Sequence, residues 1–202
     1  MNEIDFAKIG IYQNRGKART LPYLLNLILR YRKYSPKMKL KILDLGCGDG
    51  TLFRALLKHN LIENIEMYGI DNDENLIKQA KSLLPSGTFR VMDIKSQDFI
   101  DLNETFDIVI AINSIHEVFS QFLLSGNSYE EAKSRTKLIY NKMASLLSND
   151  GSILVHDGVE IDITEPNSFI KFEILSENLR QLIGKFVDEY LPIKIKLQTF
   201  ND

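Results

Sequence analysis

Apolar positions recur along the chain in two alternating rhythms. Between Lys17 and Tyr34, Leu21, Leu24, Leu25, Ile28 and Leu29 fall at helical spacing, which predicts an amphipathic helix broken at Ser35-Pro36, where the proline disfavours helix in the residue before it. Ile42, Leu43 and Leu45 then form a short apolar run that predicts a buried strand over 41–45, with a helix in the TLFRALLKH that follows the next turn. Residues 64–71 read as a second strand. Residues 73–84 read as a helix capped by Asp73, with Leu76, Ile77, Ala80, Leu83 and Leu84 on one stripe. After Pro85-Ser86-Gly87 comes a strand over 88–92, and FDIVIAIN (106–113) is the nearly continuous apolar run expected of a central parallel strand covered on both faces. A helix over 132–147, a strand over 152–157, a helical pattern over 166–190 and an alternating strand over 191–200 complete the chain. Strands interleaved with helices predict one α/β domain.

The chemistry concentrates where the first strand ends. Gly46, Gly48 and Gly50 stand at alternate positions in KILDLGCGDG, so the strand must end in a tight turn whose backbone a ligand can approach closely. The helix after that turn presents its first amides to the same ligand. The G-x-G-x-G spacing differs from the G-x-G-x-x-G of pyrophosphate-binding dinucleotide folds. With Asp44 on the strand, the turn suits an adenosine-like ligand that carries positive charge.

Composition narrows the picture further. The chain has 202 residues, 44% hydrophobic and 26% charged, enough for a sizeable core without disulfides or metals. A net charge of -2 gives no argument for nucleic acid or an acidic membrane. The single cysteine, Cys47, lies inside the glycine turn, fits a reducing compartment and reads as a small packing residue rather than a nucleophile. No apolar run approaches the ~20 residues of a membrane span, and the N-terminus lacks a signal-peptide pattern. A cytoplasmic location is expected.

Asp44, Gly46, Gly48 and Gly50, followed by the acidic Asp71 at the end of the second predicted strand, resemble the first motifs of the class I S-adenosylmethionine-dependent methyltransferases. The resemblance implies a doubly wound, mostly parallel sheet with helices on both faces and S-adenosylmethionine as cofactor. It also implies a closing pair of strands, of which only one is visible, so the C-terminal pair is expected to be incomplete or the chain to belong to a larger polypeptide. Asp71 is the expected ribose ligand, since a carboxylate offers two oxygens to a diol. Asn72 flanks the adenine or ribose, Cys47 lies in the cofactor turn and Asn113 at the cofactor's edge. The resemblance makes Asp93 the acceptor for the adenine amino group, with Ile94 against the ring. Residues 1–38 form a helical cap before the α/β core of 39–202. In this cap Arg15 or Tyr12 either meets the methionine carboxylate or belongs to a solvated helix start.

The acceptor side is expected at the carboxyl ends of strands 106–113 and 152–157, where ligands gather in open α/β sheets. Ser114-Ile115-His116-Glu117 resembles the S/N-x-x-H pattern of many small-molecule methyltransferases. His116, of a residue type titrating near ~6.5, either takes a proton from the acceptor, orients it, or merely caps a helix. His156 is a candidate pocket wall. Asp157 prompts a metal site by resemblance to catechol-type enzymes, but nearby oxygen ligands are too few, and no metal is expected. Residues 118–131, around a Ser-Gly-Asn-Ser patch, read as a lid-like segment. The implied function is methyl transfer to an oxygen or nitrogen of a small molecule. The alternatives are transfer to RNA or protein, or a non-catalytic cofactor-binding module; a homo-oligomer is also compatible. Missing N-P-P-Y and Pro-Cys signatures, and the absence of interleaved aromatic and basic residues, disfavour nucleic acid.

Overall fold

The computed structural model describes residues 15–34, 39–58 and 64–157. In chain order the elements are α1 (Arg15–Tyr34), β1 (Leu40–Leu45), α2 (Thr51–Lys58), β2 (Ile65–Asp71), α3 (Glu74–Leu83), β3 (Thr88–Val91), α4 (Gln97–Ile100), β4 (Phe106–Ile112), α5 (Ile115–Leu124), α6 (Tyr129–Ser145) and β5 (Leu147–His156). Among these residues the strands form one parallel sheet in the order β3-β2-β1-β4-β5. The predicted helix over 166–190 and strand over 191–200 lie outside the described residues.

Alternation along the two central strands builds the double winding. Ile42, Ile108 and Ile110 pack with Leu21, Leu24 and Ile28 of α1 and with Leu52 and Phe53 of α2 on one face. Leu43, Leu45, Val109 and Ala111 point the other way, onto Phe99 of α4 and onto Ile139 and Met143 of α6. Both faces of β4 are therefore covered, and every one of its residues is buried, as its nearly continuous apolar sequence requires. β1 pairs with β2 on one edge and β4 on the other, so successive crossovers leave β1 in opposite directions. A crevice opens where they part, at the carboxyl ends of β1 and β4.

Several boundaries move for identifiable reasons. Asn113, expected to end a strand, adopts φ 53 and stops β4 at Ile112. The lid-like segment 118–131 is helical at both ends: α5 runs to Leu124, a turn with Gly126 at φ 86 follows, and Ser128 starts α6 with a capping box closed by Glu131. β5 begins at Leu147 instead of 152, with an irregular register opposite Phe106 and Ile108 that absorbs the SNDG stretch. Ser96 caps α4, a short helix that the apolar pattern had not announced.

Gly50 has φ +77, and a Cβ there would lie 2.7 Å from Leu84 Cδ1 and 3.5 Å from Ala80 Cβ. Gly50→Ala combines a left-handed L-residue with overpacking, so it should lower unfolding free energy by roughly 2–4 kcal/mol in urea denaturation.

Candidate functional site

The turn between β1 and α2 is held by its own amides. Gly46 and Cys47 donate N–H to the Ile70 carbonyl at 2.8 and 3.1 Å, which fastens the turn to β2. Gly48 N–H donates to Asp71 Oδ2 at 2.8 Å, while Asp73 N–H donates to Oδ1 at 2.9 Å. Asp71 thus secures the turn and the start of α3, and each of its oxygens keeps lone-pair capacity for one more donor. Gly46 has φ +75, and a Cβ would stand 2.5 Å from Ser114 Oγ. That hydroxyl donates to the Leu45 carbonyl at 2.8 Å and so staples the ends of β1 and β4 together.

A cleft of about 490 Å³ lies over this turn. Of the residues singled out from sequence, Gly46, Gly48, Asp71, Asn72, Asp93, Ile94 and Asn113 line it. Asp44 and Cys47 are buried behind its wall, and Gly50 is packed beneath. His116 and His156 are not among the lining residues; the His156 carbonyl accepts from Asn113 N–H at 2.8 Å. Tyr12 and the Arg15 side chain lie outside the described residues. Asp93 accepts from Lys95 N–H at 2.8 Å and pairs with Lys95 Nζ at 3.3 Å; the same ammonium donates to Gln121 Oε1 across the cleft.

Lys17, which the sequence reading did not single out, supplies a buried cation to the site. Its Nζ donates to the Cys47 carbonyl at 2.7 Å and lies 3.8 Å from Asp44 Oδ2, with side-chain exposures of 5% and 0% for the pair. A signal was present, because Lys17 falls on the same helical stripe as Leu21, Leu24 and Ile28 and therefore faces inward. Burial pushes the Asp44 carboxyl above its ordinary range, the Lys17 cation opposes this, and the Asp71 charge adds to it. Neither Asp44 oxygen has a hydrogen-bond donor among the described residues. Burial and the Asp44 charge also push the Cys47 thiol far up, so it stays neutral and is no nucleophile.

At the other side of the crevice, Asp157 accepts from Ile115 N–H at 2.8 Å and His116 N–H at 3.0 Å through Oδ2. Its Oδ1 meets His116 Nδ1. The sequence reading weighed Asp157 only as a metal ligand. Among the described residues no group of three or more His, Cys, Asp or Glu could hold a metal ion, and no helix is long and apolar enough to cross a membrane.

Residues 36–190 match the family described as "Methyltransferase domain". The chain is similar to a carboxy-S-adenosyl-L-methionine synthase of Nautilia profundicola, 31% identical over 77% of this chain and 60% of that protein. It is similar to the juvenile hormone acid O-methyltransferase of Bombyx mori, 30% identical over 60% of this chain and 43% of that one. A sugar N-methyltransferase from a Streptoalloteichus species shares the fold at 18% identity and TM-score 0.54, covering 81% of this chain and 56% of its own. The chain spans less than two thirds of the length of the curated relatives it matches.

Because the folded state raises the Asp44 carboxyl, its contribution to stability is full below the unfolded carboxylate range and is lost as pH rises through the folded value. Lys17→Met removes the cation that limits this rise. The variant should lose little stability near about pH 4 and about 3–5 kcal/mol near about pH 8, read from urea unfolding at both values.

Proposed function

We propose that this chain, which belongs to the methyltransferase-domain family, binds S-adenosylmethionine in the cleft and carries its methyl group to an oxygen or nitrogen of a small molecule. The observation that carries the reading is a cleft walled by the glycine turn, with Asp71 at its edge and a buried Lys17–Asp44 pair behind it. Its size falls in the range of small-ligand sites. The donor set matches the cofactor. Asp71 has lone pairs for a ribose diol, and Lys17, which lines the cleft, suits a carboxylate. Asp93 would accept from the adenine amino group, with Ile94 against the ring and Asn72 beside it. When bound, S-adenosylmethionine supplies an electrophilic methyl on a sulfonium.

Little chemistry is then asked of the protein beyond alignment and removal of a proton. His116 is the candidate base, carried by the first turn of α5 beside the lining residues Ser114 and Glu117. The α5–α6 hairpin reaches the cleft through Val118 and Gln121, so segment 118–131 would shape acceptor choice. Among the described residues, Asp71, Asp73, Asp93 and Glu117 on the lining outnumber Lys17 and the Lys95 ammonium that bridges Asp93 and Gln121, a balance unfavourable to the phosphates of a nucleic acid. The names of two relatives point to small molecules: one methylates juvenile hormone acid and one is a sugar N-methyltransferase. A buried, single cysteine accords with a cytoplasmic setting.

Calorimetric titration tests the cofactor. S-adenosylmethionine and S-adenosylhomocysteine should bind in the micromolar range, about -8 kcal/mol, and Asp71→Ala should weaken both by about a hundredfold. Absence of binding to either would refute the reading. Release of S-adenosylhomocysteine with a panel of phenols, alcohols and amines then finds the acceptor; activity on RNA or protein alone would replace the small molecule.

A further inference from the structure

We propose that Asp157 is the positioning residue for His116, fixing the ring so that Nε2 is the atom that accepts the acceptor's proton. The inference rests on the methyl-transfer reading above. Its ground is geometric. Asp157 has 8% side-chain exposure and is locked by two backbone amides of α5, leaving Oδ1 against His116 Nδ1. An ionised carboxylate only accepts hydrogen bonds, so Nδ1 must carry the hydrogen. A neutral ring held so would bear its lone pair on Nε2, on a side chain that is 46% exposed.

Among the groups about the pair are Tyr140 on α6, which the Asp157 charge reaches, and the neighbouring Glu117, which lines the cleft. Burial and the Asp157 charge push the Tyr140 hydroxyl up, so it remains a neutral phenol. His116 follows Ser114, which lines the cleft and ties β4 to β1, while Asp157 follows β5. The adjacency of β4 and β5 in the sheet therefore sets the dyad beside the methyl donor's cleft without placing it in the cofactor wall. In the step, the acceptor's heavy atom bonds to the methyl carbon, the carbon–sulfur electron pair returns to sulfur, and the acceptor's proton passes to Nε2 and then to water.

Asp157→Asn separates positioning from mere packing. Its amide oxygen still accepts from the α5 amides, but its NH₂ faces Nδ1 and forces the ring's hydrogen onto Nε2, which abolishes the base. Nitrogen NMR of the ligand-free protein should find the neutral His116 hydrogen on Nδ1 in the wild type and on Nε2 in the variant. With the acceptor found in the panel, kcat should fall by about a hundredfold or more, with KM for S-adenosylmethionine within about twofold. Adding His116→Gln should cost little more. A wild-type hydrogen on Nε2, or a variant kcat within about threefold of wild type, would overturn the proposal. Failure of S-adenosylmethionine to bind the wild type would instead refute the methyl-transfer reading, while the position of the ring hydrogen would still decide whether Asp157 holds His116.

Discussion

Taking an ammonium and a carboxylate out of water costs several kcal/mol per ion, and such a pair persists only when its geometry and further hydrogen bonds offset that cost. Lys17 meets this demand through the Cys47 carbonyl, whereas Asp44 faces it at 3.8 Å with no hydrogen-bond donor on either oxygen among the described residues and with its carboxyl pushed up by burial, and the rest of the site is arranged around this pair. The sheet places Asp44 at the end of β1, between Gly69 of β2 and Ile110 of β4, where no water reaches it. A cation has to come from outside the sheet. α1 supplies it, and the same helix commits Leu21, Leu24 and Ile28 to the core, so α1 is part of the cleft wall and not an accessory laid upon it. The ammonium in turn anchors the carbonyl of Cys47, while Asp71 fixes the next amide in the turn.

What could be read from sequence was whatever short-range pattern determines. The glycine turn, the acid ending β2 and the apolar run of β4 each announce their role through neighbours in the chain. Contacts between distant residues were harder. His116 and Asp157 could both be put at strand ends from the sequence, but their bond exists only because β4 and β5 are neighbours with the register that sets Ile112 against His156. Lys17 was passed over, since its inward face was masked by its charge, which by habit is assigned to solvent. The segment around Ser128 looked loose because it is polar, yet Ser128 and Glu131 satisfy each other's backbone amides and start a helix. Polar composition signalled a cap there, not mobility.

The two halves of the crevice divide the work by electrostatics. Beside β1 and β2 the cleft is lined by acids, with the Lys17–Asp44 pair buried behind it and Asn72 and Asp73 open to water at its rim, a setting that would suit a cationic cofactor. Beside β4 and β5, Asp157 is buried but His116 is 46% exposed, so a proton taken up there, as we propose, would have solvent to go to. A base buried with Asp44 would have to compete with Lys17 for the same field and would trap the proton it took. Separation by one strand solves this. The sheet's switch point brings the glycine turn and His116 to one crevice, while its strand order keeps the buried Lys17–Asp44 pair and the proposed base apart.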